Sequence, residues 1–245
     1  SHQSGWNKSV HDVYKEASIN LSWTEILKET CDKAGIAFLT TPYSISLVDE
    51  VDEFVSAYKI GSGDITWLDH ISYIASKGKP VILACGASNL DDVIRAINAV
   101  TQYNKSVAIL QCNTNYTASL DNFDYINLNV IKTFRSLYPN SILGLSDHTP
   151  GHSTALGSVA LGGKIIEKHF TDDNGRNGPD HKFAMNPASW RAMVDATQEL
   201  QRALGSGLKV IEKNERDTVI IQRRGLYACT NLNEGDILRN NDIEV

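Results

Sequence analysis

The chain has 245 residues, of which 42% are apolar and 21% charged, and carries a formal net charge of −6. That length fits one large α/β domain or two modest ones, and the apolar share argues against disorder. The lack of a basic block argues against nucleic-acid binding, and no apolar run approaches the ~20 residues of a membrane span.

The first twenty residues are polar, show no signal-peptide pattern and read as an irregular segment, with Gly5 to Lys8 as loop. Ser22-Trp-Thr-Glu25 is a capping-box pattern that predicts a helix through Ala34, stopped by Gly35. Ile36 to Thr41 then reads as a strand, ended by Pro42. The alternation repeats: helix over 47–55, strand over 57–60 ending in Gly61-Ser62-Gly63-Asp64, helix over 68–76. A strand over 80–84 follows, then a helix from Leu90 to Val100 capped by Ser88, a strand over 107–111 and a helix from Phe123 to Leu137. Two short apolar runs, 142–145 and 164–167, flank a small-residue helical segment from Thr149 to Gly162. A long amphipathic helix covers Pro187 to Leu204.

Six strands therefore alternate with helices, near residues 38, 59, 82, 109, 143 and 166. Continuous apolar strands with helical crossovers predict a parallel sheet covered on both faces. A doubly wound sheet and a (β/α) barrel both satisfy this pattern. Beyond Leu204 the composition shifts, with 205–223 reading as a linker.

Cys31, Cys85, Cys112 and Cys229 are widely spaced, without the ligand spacing of a thiolate zinc site. Unpaired thiols suit a reducing compartment, so a cytoplasmic location is expected. The two runs 142–145 and 164–167 each end in a histidine-bearing cluster, Ser146-Asp147-His148 and Lys168-His169. In parallel α/β folds the carboxyl ends of strands hold the chemistry, and two imidazoles on neighbouring strands can share a divalent metal. A lone strand-end histidine is more often structural. Two at equivalent positions, followed by Gly178-Pro179-Asp180-His181, favour a site.

Gly144-Leu-Ser-Asp-His-Thr, Ala160-Leu-Gly-Gly-Lys-Ile-Ile-Glu-Lys-His-Phe-Thr and Gly178-Pro-Asp-His, in this order and spacing, closely resemble the sialic acid synthase (N-acetylneuraminate synthase) family. The resemblance runs from about Leu21 to the C-terminus. It implies a (β/α)8 TIM-type barrel over 21–204, with six of eight strands recognisable as the third to eighth. The start of a C-terminal antifreeze-like (SAF) domain would lie at 224–245. The first strand, first helix and second strand of that barrel have no counterpart, so an incomplete sequence is expected.

The resemblance also implies an activity: condensation of phosphoenolpyruvate with an N-acylated amino sugar, such as N-acetylmannosamine, to give a sialic-acid-type nonulosonic acid and phosphate. His148 and His169 match the metal ligands, for Mn²⁺ or otherwise Mg²⁺. Asp64, expected as a catalytic residue in the sugar site, stands where many members carry glutamate. Lys59, Ser62, Thr41 and Ser146 match anion-contacting positions, and Tyr116 and Asp180 match the sugar site. Asp147 is expected either to orient an imidazole or to cap a strand end. A homodimer with the SAF domain packed on the partner barrel is implied. The alternatives are another phosphoenolpyruvate-dependent sugar-acid synthase, or a non-catalytic carbohydrate-binding fragment.

Overall fold

The computed structural model describes residues 9–178 and 180–245, so the loop reading of Gly5 to Lys8 and the Pro179 position lie outside the described residues. By contacts the chain divides into two units, 1–204 and 205–245.

The first unit opens with helices α1 (Val10–Ala17), α2 (Thr24–Ala34) and α3 (Ile45–Val51). Ser9 caps α1, so the segment before residue 20 is partly helical rather than irregular throughout. Asn20, not Ser22, supplies the cap at the start of the next stretch: it accepts from Ser22 N–H and opens a 3₁₀ turn that runs into α2. Gly35 ends α2 at φ 70°, a left-handed turn that glycine enters without a Cβ clash.

Strand β1 (Tyr58–Ile60) precedes α4 (Leu68–Ser76), β2 (Val81–Ala84), α5 (Leu90–Thr101) and β3 (Val107–Cys112). Asn89 forms the capping box of α5 with Asp92, whereas the expected cap, Ser88, donates to the Cys85 carbonyl instead. Next come α6 (Val130–Leu137), β4 (Ile142–Asp147), α7 (Ser153–Ala160), β5 (Ile165–Lys168) and α8 (Pro187–Ala203). The expected helix from Phe123 is a 3₁₀ turn over Leu120–Tyr125 followed by the shorter α6. Asn186 and Ser189 cap α8, with Pro187 in its first turn, where a missing N–H costs nothing.

The strands form one five-stranded parallel sheet in the order β1-β2-β3-β4-β5. Chain order equals spatial order, without the reversal of a doubly wound sheet, as in a barrel wall. The first of the six expected strands, near residue 38, is not one. Lys59 N–H reaches the Thr40 carbonyl at 3.4 Å, but one bond makes no ladder, and Ile36 and Leu39 are exposed. In place of the expected eight-stranded barrel, the described residues of the first unit form a five-stranded parallel sheet.

Val81, Leu83, Ile109 and Leu143 of the strands meet Val48, Ile71, Ile97 and Phe134 of the covering helices in one core. Gly144 lies where β4 crowds β5: a Cβ there would sit 2.2 Å from the Ile165 carbonyl oxygen and 2.7 Å from Leu110 Cδ2. Gly144→Ala is expected to destabilise the fold by about 2–3 kcal/mol, in the range for overpacking, as a lowered urea midpoint. An unchanged midpoint would show that the strands can part without cost.

The second unit holds a 3₁₀ turn, α9 (Arg216–Gln222), and two short antiparallel strands, β6 (Tyr227–Ala228) and β7 (Ile243–Glu244). The 205–223 segment read as linker therefore carries helical structure. No helix among the described residues is long and apolar enough to cross a membrane.

Candidate active site

The C-terminal ends of the parallel strands bring the chemistry together. β4 delivers His148 and β5 delivers His169, because the register pairs Asp147 with Lys168 and so leaves the two histidines adjacent. Their ring centroids are 5.2 Å apart. Tyr116, from the loop after β3, lies 4.1 Å from the His148 ring and 5.7 Å from that of His169. Phe183 closes the cluster, 5.0 Å from His169.

His148 is buried, and its Nδ1 lies 2.7 Å from the Asn113 carbonyl oxygen. A carbonyl only accepts, so Nδ1 carries the proton and Nε2 keeps its lone pair. Burial pushes the His148 pKa down, with the nearby His169 adding to it and the Asn113 bond opposing. His169 Nδ1 lies 3.3 Å from Asp180 Oδ2. Two adjacent imidazoles, that of His148 presenting its Nε2 lone pair, suit a divalent ion whose remaining positions go to water or substrate. Among the described residues no group of three or more His, Cys, Asp or Glu forms a closed metal cage.

Asp147 does not orient an imidazole. It turns away from His148 into a buried ion pair with Lys168 at 2.5 Å. Orientation of His148 falls to a backbone carbonyl, which no side-chain pattern announces.

A second cluster lies at the ends of β1, β4 and β5. Lys59 Nζ is 3.2 Å from Glu167 Oε2, and Ser146 Oγ donates to Glu167 Oε1 at 3.2 Å. Ser62 Oγ accepts from the Gly86 N–H at 2.9 Å. Gly86 has no room for a side chain: a Cβ would fall 2.4 Å from Thr114 Cγ2 and 2.8 Å from Ser62 Oγ. Thr41 lies beside Gly61, where an added Cβ would be 3.9 Å from its Cγ2. Glu167 was not among the expected site residues. Strand alternation could have found it, since it stands two residues before His169.

Burial raises the pKa of Asp64, while His70 and Lys59 pull it back, so its carboxyl senses the Lys59 cluster. Among the described residues no hydrogen bond or ion pair joins it to the histidine pair. Burial likewise raises Tyr116 to about 12 and Cys85 to about 12, and lifts Cys112. Tyr116 is a neutral phenol at physiological pH, and neither thiol is poised as a thiolate nucleophile. Beside Tyr116 a cleft of about 720 Å³ opens, lined by Ser88, Asn89, Asn115, Asn127 and Thr133 and by no charged side chain.

The model of the NeuB family matches residues 1–209. The N,N′-diacetyllegionaminic acid synthase of Campylobacter jejuni is 34% identical over 215 residues, covering 86% of this chain and 63% of the relative. Human N-acetylneuraminate-9-phosphate synthase is 28% identical, covering 93% of this chain and 60% of its own length. The chain thus spans somewhat under two thirds of these two curated relatives. Among solved structures, the sialic acid synthetase of Leptospira borgpetersenii, crystallised with citrate, superposes with a TM-score of 0.80 at 28% identity, over 89% of this chain and 75% of that one. On the match of the family model over residues 1–209, which contains both strand-end histidines and the Lys59–Glu167 cluster, the chain belongs to the NeuB family.

Proposed function

We propose that the chain belongs to a metal-dependent synthase that condenses phosphoenolpyruvate with an N-acylated amino sugar, giving a sialic-acid-type nonulosonic acid and phosphate. The observation that carries this reading is the side-by-side placement of His148 and His169 beside the aromatic ring of Tyr116. Mn²⁺ or another divalent ion held by the two imidazoles would supply Lewis-acid polarisation of the open-chain aldehyde oxygen.

The remaining tasks fall to side chains. Lys59 supplies positive charge for the phosphoenolpyruvate anion, with the hydroxyls of Ser62, Ser146 and Thr41 as further donors. Tyr116 and Asp180 face the sugar, and the cleft beside Tyr116, where amide and hydroxyl groups alternate with apolar side chains such as Leu90, Val93 and Phe134, suits its hydroxyl and acylamino groups. In the condensation, C3 of phosphoenolpyruvate forms the new bond to the aldehyde carbon. Water then adds to C2, and phosphate leaves from the tetrahedral centre. Asp64, whose desolvated carboxyl takes up a proton more readily than usual, is the group assigned to proton handling. A homodimer in which the C-terminal unit packs on the partner copy belongs to the same proposal, and light scattering at high concentration tests it: a strictly monomeric species would refute it.

The test is phosphate release from phosphoenolpyruvate and N-acetylmannosamine by the full-length protein, with and without Mn²⁺. Release that needs both the sugar and the metal is expected. Absence of sugar-dependent release with any N-acylmannosamine-type acceptor would remove the reading. Asp180→Ala is expected to raise the sugar KM by about tenfold or more, the cost of one hydrogen bond to a charged group, with less effect on phosphoenolpyruvate. Equal effects on both substrates would instead point to its contact with His169.

A further inference from the structure

We propose that the buried ion pair of Lys168 with Asp147 is a cross-strand clamp that sets the separation of His148 and His169, making both of its members positioning residues for the metal site. The inference rests on the reading of those histidines as metal ligands.

Each member of the pair immediately precedes one of the histidines, and the β4–β5 register places the two directly opposite each other. Strand alternation explains the division of labour. Ser146 and Glu167 meet on one face; Asp147 and Lys168 meet on the other, against α7; the histidines come next along the chain. Lys168 Nζ donates to Asp147 Oδ2 at 2.5 Å and to the Thr149 carbonyl at 2.7 Å. Asp147 also accepts from Thr149 N–H at 3.1 Å, from Thr149 Oγ1 at 2.9 Å and from Thr154 Oγ1 at 2.6 Å. The side chains are 2% and 0% exposed.

Both carboxylate oxygens are thus occupied, and the pair ties β4, β5 and the first turn of α7 into one unit. A buried ion pair contributes little net stability over apolar residues of the same volume, because desolvation offsets the attraction. Its short, charge-assisted bonds do fix distance. The Asn113 carbonyl orients the His148 ring, while the clamp holds the two strand ends, and with them the two rings, at their spacing.

The test is Mn²⁺ affinity, read by electron paramagnetic resonance of the free ion during titration of the full-length protein, alongside a thermal melt. The double variant Asp147→Leu with Lys168→Met replaces the pair by apolar side chains. It is expected to stay folded and to bind Mn²⁺ about 10–100-fold more weakly, the usual cost of losing support behind a metal ligand. A folded double variant with wild-type affinity would overturn the clamp and leave the metal reading intact. Should the double variant not fold, Thr154→Val decides, since it removes one Asp147 bond without changing charge: weakened Mn²⁺ binding supports the clamp, and unchanged binding overturns it. Wild-type protein that binds no Mn²⁺ would overturn the metal reading and the clamp together.

Discussion

His148→Ala and His169→Ala are each expected to lower metal-stimulated phosphate release by about 10³-fold or more, because Lewis-acid stabilisation supplies several kcal/mol and each 1.36 kcal/mol is a factor of ten in rate. The two losses have different geometric origins. His148 is buried, with Nδ1 committed to the Asn113 carbonyl, so its ring has one orientation and one available lone pair. Burial also favours its neutral form, the form that binds a metal. His169 is more exposed and is steadied by Asp180 at 3.3 Å and by ring contact with Phe183. Among the described residues no group of three or more His, Cys, Asp or Glu surrounds the pair, so deletion of one imidazole halves the histidine donors. The measurement is the initial rate across a Mn²⁺ series for both variants. Full Mn²⁺ stimulation in either would refute the assignment.

Much of this arrangement was legible in the residues. Continuous apolar runs such as Val81-Ile82-Leu83-Ala84 can be satisfied only by burial on both faces, and the five runs from Tyr58 onward form the parallel sheet. The pairing of the two histidines follows from their equivalent positions at strand ends. The run Ile36 to Thr41 misled because its composition is strand-like, while a strand also needs partners along its length; it has one backbone bond to β1. The caps at Ser22 and Ser88 misled by one or two residues because Asn20 and Asn89 cap equally well, and which side chain reaches the free amides is decided by backbone path. Asp147 was ambiguous for a deeper reason. Sequence adjacency to His148 suggested a shared role, yet alternation turns successive side chains to opposite faces, and the partner that claimed it, Lys168, lies 21 residues on. The carbonyl that orients His148 has no side-chain signature at all.

Lys59→Ala is expected to weaken phosphoenolpyruvate binding by about 2–4 kcal/mol, the range for removing one member of a desolvated charge pair, or roughly 30- to 1000-fold in Kd. Lys59 sits between the buried Tyr58 and Ile60 of β1, and its side chain is 13% exposed, so its charge is largely withdrawn from water. In a chain of net charge −6, a multiply charged anion needs concentrated positive charge. The other buried strand-end lysine, Lys168, is already neutralised by Asp147 at 2.5 Å. Lys59 faces Glu167 at 3.2 Å, and that carboxylate is itself 43% exposed and held by Ser146. Solvent screens Glu167 more than it screens Lys59, so an arriving phosphate or carboxylate can compete for the ammonium. The same geometry gives a prediction of opposite sign. Glu167→Gln keeps an acceptor for Ser146 but removes the competing charge, and is expected to leave phosphoenolpyruvate affinity unchanged or raise it. Calorimetric titration of phosphoenolpyruvate alone into each full-length variant separates the cases. Unchanged affinity in Lys59→Ala would require the anion cradle to be rebuilt around another cation. Weakened affinity in both variants would make the intact Lys59–Glu167 pair, rather than the lysine charge, the unit that shapes the cradle.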